Sequence, residues 1–377
     1  MHFLGRFVVA HVLAALLAGN SMLICLSERT ACLSSESYST EVKEGKLFSK
    51  RGPIQEQGKT VWDYEIVITE REIKLAGGAL YKVWAFGGEV PGPTLIAREG
   101  DWVRIQLVNE TSASHTIHSH GLLVPKKMDG VPPAHGMTHH DMNATEVKQP
   151  VKPGETFTYE YIARPAGTHF YHCHVDTNEH LNRGMAGALI VIPRVPEPHV
   201  DQDIVMLLQE WNSRYAQTGQ PGNPREIYDC DFFTINGKSF PETDQIKAQL
   251  GEVIRIRFIN AGSQQHFMHL HGHTFLVTHK DGIPLVEPQE MDTVPVGPGE
   301  RVDILIVANN AGEWPLHCHT PAHQSNAGKY PGGMMTHLLV GKVADPEDSN
   351  GPSAPGVERI RDAWRRSALL RLKKQKV

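Results

Sequence analysis

"REGDWVRIQLVN", residues 98–109, sets Val103, Ile105 and Leu107 among polar neighbours, just after the turn pair Gly100-Asp101. Side chains of a strand alternate faces, so this period of two reads as a half-buried β-strand entered from a tight turn. The design returns as "QLGEVIRIRFIN" at 249–260, an offset of 151. "HTIHSHG" (115–121) and "HFMHLHG" (266–272) repeat at the same offset, and "PGETFTYEYIARPAGTHFYHCH" (153–174) matches "PGERVDILIVANNAGEWPLHCH" (298–319) at 145. The chain therefore carries two copies of one domain.

Within each copy alternating apolar runs are broken by glycine-centred turns, and the 34 glycines and 25 prolines supply such turns throughout. That spacing predicts an all-β protein of two tandem Greek-key β-sandwiches. The copies span 55–195 and 199–342, joined by the proline-rich "PRVPEPH" (193–199). A length of 377 residues accommodates two such domains.

The ends read differently. Arg6 precedes an apolar run from Phe7 to Ala18, followed by small residues, which is the form of a signal peptide over 1–27. Cleavage after Ser21 and after Ser27 fits equally, and the expectation is export to the periplasm or the exterior. Net charge is -5, too mild to argue for a nucleic-acid partner. It is uneven, because residues 358–377 carry +6 and the rest carry -11. Residues 343–377 read as a polar linker and a basic tail, with 344–356 expected to be disordered. Ile360, Trp364 and Ala368 would form a stripe if the tail is helical. The expected state is a solvated tail, with membrane-surface contact as the alternative. Of five cysteines, Cys25 and Cys32 lie near the leader, and Cys173, Cys230 and Cys318 form no even set, against a disulfide framework.

The chemistry concentrates around "THFYHCHVDTNEHLNRGMAG", 168–187. On a strand His172 and His174 point one way and Cys173 the other, so one run touches two metal sites. The same alternation pairs His118 with His120, His269 with His271, and His317 with His319. One thiolate, two imidazoles and a distant thioether make a trigonal copper site for electron transfer. The first copy offers Cys173, His115, His180 and Met185. The second offers Cys318, His266 and His323, with Met334 or its neighbour Met335 as the thioether. Spacing differs between copies: His180 follows Cys173 by seven residues and His323 follows Cys318 by five, while Met185 follows His180 by five and Met334 follows His323 by eleven.

HSHG, HCH, HFMHLHGH and HCHTPAH resemble the four copper motifs of multicopper oxidases, and the chain resembles the two-domain, laccase-like members of that cupredoxin family over 55–342. The resemblance implies two cupredoxin-like domains. His118 and His269 then fall on a type 2 copper, and His120, His172, His174, His271, His317 and His319 on a type 3 pair, where dioxygen becomes water. It also implies a type 1 copper at each of Cys173 and Cys318, giving about five coppers per chain, or four if only one type 1 site fills. Cys173 would collect an electron and its flanking histidines pass it on. The reductant would be a phenol, an aromatic amine or a metal ion such as Cu(I), and the assembly a homotrimer with clusters between chains.

Four protons accompany the reduction of dioxygen, so acids matter. Asp129 in "MDGVP" resembles the family's acid beside the type 2 copper. Asp176, two residues after His174, is a second relay candidate. Asp281, near the repeat position of Asp129, reads as a turn residue. "HGMTHHDM" (135–142) reads equally as a Cu(I)-binding segment and as a solvated loop. His169, His199, His273, His279 and His337 read as structural or surface residues, and Cys230 as a buried small apolar one. Two other functions stand against the oxidase. Copper nitrite reductases share the two-domain plan but place Asp where His118 stands and use no ligand where His174 stands. A copper carrier without turnover needs none of the eight cluster histidines.

Overall fold

The computed structural model describes residues 47–132, 150–214, 229–341 and 356–375. The leader, the 135–142 segment and most of the 344–356 linker lie outside them. Its first domain contains β1 (Phe48–Lys50), β2 (Ile54–Glu56), β3 (Lys59–Lys74), β4 (Leu80–Phe86), β5 (Gly92–Arg98), β6 (Trp102–Asn109), β7 (His118–His120), β8 (Thr156–Ile162), β9 (Gly167–His172) and β10 (Ala186–Ile192). Strands β1, β3, β6 and β8 form one sheet in that order, with β2 and β4 also on β3; β5, β10, β9 and β7 form the other. A short helix, α1 (Thr177–Asn182), links β9 to β10.

The second domain repeats this with β11 (Gln202–Trp211), β12 (Phe232–Ile235), β13 (Ile246–Gln249), β14 (Val253–Asn260), β15 (His266–Leu270), β16 (Phe275–Lys280), β17 (Ile283–Met291), β18 (Thr293–Val296), β19 (Arg301–Val307), β20 (Gly312–Cys318) and β21 (Met335–Gly341). Its sheets run β12-β11-β14-β19-β16-β17 and β13-β21-β20-β15-β18. The expected all-β, two-domain sandwich architecture is present. Alternation works as the sequence implies: in β6 Val103, Ile105 and Leu107 are buried while Arg104 and Gln106 are partly exposed.

The domains meet over a shared core, since Val205, Leu207, Ile259 and Ala261 of the second pack into the apolar cluster of the first. Beside it lies a buried ionic network. Arg257 grips Asp203 with two bonds (2.7 and 2.8 Å) and reaches Asp303 (3.1 Å) and the Thr168 hydroxyl of β9 (2.7 Å). Arg255 pairs with Glu197 of the linker at 2.9 Å, and His279 bridges Asp303 (3.1 Å) and Glu197 (3.3 Å).

The basic tail departs from the solvated state expected of it. It forms helix α2 (Val357–Gln375), and its stripe of Ile360, Trp364 and Ala368 is buried against Val200, Val253, Leu276, Leu305 and Val307. Trp364 Nε1 donates to the Leu285 carbonyl (2.8 Å), Ser367 to Pro196 (2.7 Å), and Arg371 pairs with Glu197. The tail is not solvated: its apolar face is taken up by the protein's own sheet, the outcome hydrophobic burial favours when such a surface lies within reach.

Candidate metal centres

Strand register builds the sites. Antiparallel pairing of β7 with β9 sets His118 opposite His172, and pairing of β15 with β20 sets His269 opposite His317. Alternation then sends Cys173 and Cys318 into the two domain cores, where both are fully buried, and their flanking histidines the other way.

On the core side, three donors converge in each domain. His115, Cys173 and His180 form one group and His266, Cys318 and His323 the other, with ligand atoms within 4.8 Å of one another. In the first, Nδ1 of His180 lies 3.0 Å from Cys173 Sγ and 3.3 Å from His115 Nδ1. In the second, Nδ1 of His323 lies 3.4 Å from Cys318 Sγ and 3.2 Å from His266 Nδ1. Backbone bonds settle the spacing difference. Cys173 N donates to Met185 O (3.2 Å) and Met185 N to His180 O (3.1 Å); Cys318 N donates to Met334 O (2.9 Å) and Met334 N to His323 O (2.8 Å). Met334, not Met335, thus holds the place of Met185, and both are fully buried. Gly184 and Gly333, each at positive φ (+87° and +66°), turn the chain immediately before the methionine. The extra residues of the second copy sit in a loop that leaves Tyr330 75% exposed, so they lengthen the path without moving its ends.

Electrostatics differ between the two groups. Burial lowers His115 to about 4 and His180 to about 3, and raises the Cys173 thiol to about 11. Burial also opposes charge on His266 and Cys318, but there hydrogen bonds prevail. Cys318 and Glu210 raise His266 to about 9, and His266 and His323 bring the Cys318 thiol down to about 5. A buried soft donor set of one thiol, two imidazole Nδ1 atoms and a neighbouring methionine fits copper, whose charge deprotonates a coordinated thiol. Outside the donors, Trp84 lies over the rings of His115 (5.1 Å) and His180 (4.6 Å) beneath the Arg183 guanidinium (4.5 Å). Phe233 stacks on His323 at 4.2 Å, and Gln264 Oε1 meets His323 Nε2 at 2.9 Å.

On the other side of each strand pair lie four imidazoles. His118, His120 and His172 bring ligand nitrogens within 4.8 Å, and His174 lies with them, its ring 5.3 Å from His118 and 5.8 Å from His172. His271 and His317 approach to 3.1 Å through Nε2, with His269 and His319 beside them. Backbone carbonyls hold the opposite nitrogens: Nδ1 of His118, His172, His269 and His317 meets the carbonyls of Asp129, Cys173, Asp292 and Cys318 at 2.8 to 3.1 Å. Nε2 is thereby left free to bind metal, the tautomer a ligand needs. Burial lowers His172 to about 3 and His120 to about 4, keeping them neutral.

The Asp129 carboxylate stands 3.3 Å from His118 Nδ1. This contact lowers Asp129 below the usual carboxylate range and, against burial, raises His118. Asp176 takes a left-handed conformation (φ 38°) at the start of α1, and Thr177 is the residue whose hydroxyl faces His174 Nδ1, at 3.5 Å. Asp281 sits in the β16–β17 turn at φ 53°, paired with Arg301. By hydrogen bonding the counterpart of Asp129 is Asp292, whose carbonyl holds His269 Nδ1 as that of Asp129 holds His118 Nδ1; strand β17 separates it from Asp281. His169 and His279 are buried structural groups, the former bonded to the Pro165 carbonyl, while Cys230 is only partly buried.

Models of two multicopper oxidase domains match residues 67–195 and 212–342, and the chain belongs to the multicopper oxidase family. That family implies copper, which the donor sets fit. The chain is similar to the blue copper oxidase of Nitrosomonas europaea, with 41% identity and a TM-score of 0.66 over 73% of this chain and 85% of that one. The multicopper oxidase mgLAC is 42% identical, with a TM-score of 0.68 over 75% and 87%. The multicopper oxidase MmcO of Mycobacterium tuberculosis is 27% identical across 64% of this chain, which spans 50% of that curated relative's length.

Proposed function

We propose that this protein is an exported copper oxidase that takes single electrons from a reductant and reduces dioxygen to water. The observation that carries the reading is covalent: Cys173 belongs to one donor group while His172 and His174, its direct neighbours, belong to the other. Cys318 stands in the same relation to His317 and His319. Copper at these sites would supply one-electron chemistry at the thiolates and a multi-electron sink at the imidazoles.

In this reading His115, Cys173, His180 and Met185 hold one type 1 copper and His266, Cys318, His323 and Met334 another. His118 and His269 serve type 2, and the other six histidines type 3, for about five coppers per chain. Asp129 keeps the His118 ring turned and is placed to hold a proton beside it; Asp176 is the outer relay candidate. Each imidazole set is only half of an eight-histidine cluster and lies within a single domain. His271 and His319 are exposed, as expected of a surface that meets the first domain of another chain. Head-to-tail contacts of this kind close into a ring, which supports a homotrimer.

The deciding assay compares oxygen uptake with a phenol, Cu(I) and Fe(II) against nitrite reduction. The oxidase reading expects one dioxygen consumed per four reducing equivalents. Nitrite turnover without oxygen uptake would favour the reductase, and copper binding without either would favour a carrier. His118, in place of an Asp, argues against the reductase. Metal analysis near five coppers is expected; a value near four, with Cys318→Ser leaving the blue absorption unchanged, would remove the second type 1 site.

A further inference from the structure

The two cysteine-centred groups share a backbone, yet the outer nitrogen of their first histidine meets different chemistry. Parallel pairing sets Ile68 opposite Asn109 and Leu208 opposite Asn260, so Glu70 and Glu210, each two residues further on, hold one repeat position. Both accept hydrogen bonds from the backbone and hydroxyl of a repeat-related serine, Ser112 or Ser263. There the likeness ends. In the first copy Thr111 fills the gap: its hydroxyl meets His115 Nε2 at 2.7 Å, and Glu70 remains exposed. In the second copy the equivalent residue is Gly262, where a Cβ would lie 1.9 Å from Glu210 Oε2. The Glu210 carboxylate occupies that space. It is 3% exposed, takes a further bond from Gln264 N (2.6 Å), and places Oε2 3.4 Å from His266 Nε2.

We propose that Glu210, admitted by Gly262, is a positioning and tuning residue that holds His266 with Nδ1 toward the metal and lowers the second site's reduction potential below the first's. The proposal rests on reading both cysteine groups as type 1 copper sites. The physical reason is charge. A carboxylate bonded to a ligand imidazole makes that ligand more basic, and in a buried site its charge is little screened, so it favours Cu(II) over Cu(I) in the one-electron couple. Thr111 offers a neutral hydroxyl, so the first site lacks this contact, and the charge of Glu70, exposed to solvent, reaches His115 only at a distance and screened. An electron supplied by the reductant then rests preferentially on the first site and leaves the second more readily.

Copper-loaded Cys173→Ser and Cys318→Ser proteins each retain one cysteine site, whose blue absorption and paramagnetic spectrum can be followed in a redox titration. The site retained in Cys173→Ser should be at least tenfold more oxidised at equal poise, a midpoint lower by about 59 mV for one electron. Adding Glu210→Gln or Gly262→Thr to that protein should reverse most of the gap while the blue band persists. Thr111→Gly in the Cys318→Ser protein should lower the first site's midpoint. Equal midpoints in the two parent proteins would overturn the tuning role even if a further variant fails to fold, as would a midpoint unmoved by both Glu210→Gln and Gly262→Thr. Loss of all blue absorption from Cys173→Ser would instead overturn the type 1 reading of the second group, and the proposal with it.

Discussion

Strands β6 and β14 occupy one position in the two copies, but their surroundings differ. In β6, alternate side chains reach the surface, and Arg104 pairs at the rim with Glu56 (2.9 Å) and Glu160 (2.6 Å). In β14 all eight residues are buried, because β9 and helix α2 cover the face that β6 leaves open. Its arginines are consequently sealed among Glu197, Asp203 and Asp303. A repeat transmits strand alternation and ligand placement; it does not transmit what covers the outer face, and the cover decides what an arginine there is worth.

Substituting the arginine at this one repeat position in each copy should give very different losses of stability. Arg255→Ala removes one of the three cationic partners of Glu197 in a dry site, leaving Arg371 and His279 to hold it, and should cost about 3–5 kcal/mol in denaturant unfolding. Trp364→Ala, which hollows the contact between α2 and the sheet, should also cost about 3–5 kcal/mol. Equal stability for Trp364→Ala and the parent would mean the helix is not held there in solution. At the histidine ends the copies differ again, since His118 has the Asp129 carboxylate where His269 has the Thr293 hydroxyl (2.9 Å). Asp129→Asn should slow reoxidation of the reduced enzyme by about 10–100-fold with copper content and blue absorption retained, as loss of a ligand's outer partner does. Thr293→Val should do less, and the reverse order would sink the relay role of Asp129. Arg104→Ala should cost only about 0.2–1 kcal/mol, as exposed pairs do.

The smallest effect concerns pH. His279, although burial opposes its charge, is raised by Asp303 and Glu197. A raised folded-state value stabilises fully below the unfolded imidazole's range and is lost as pH climbs through the folded one. Stability should therefore fall as pH rises from about 6.5 upward, and this slope should flatten in His279→Gln. A slope unchanged by the substitution would place the titration elsewhere.

The sixteen candidate donors were legible because metal binding ties residue type to strand alternation, and the repeat displays each pattern twice. Met334 became distinct from Met335 only through backbone hydrogen bonds that return past an inserted loop. Glu210 could not be read, because its meaning depends on the missing side chain at Gly262, distant in sequence and adjacent only in the fold. Helix α2 was half legible: the 360, 364, 368 stripe declares an apolar face, but periodicity does not say which surface receives it. Alternation in β14 sets Arg255 and Arg257 on the face away from Ile254, Ile256 and Phe258, and their burial follows from packing alone.

In the proposed assembly one working cluster draws its histidines from two chains. His118→Ala and His269→Ala should each reduce oxygen uptake to background. Co-expressed, they can set an intact first domain from the His269→Ala chain against an intact second domain from the His118→Ala chain. Oxygen uptake recovered in mixed assemblies is the predicted result. No recovery, with mixed assemblies verified by mass, would contradict the claim and place the complete cluster within a single chain.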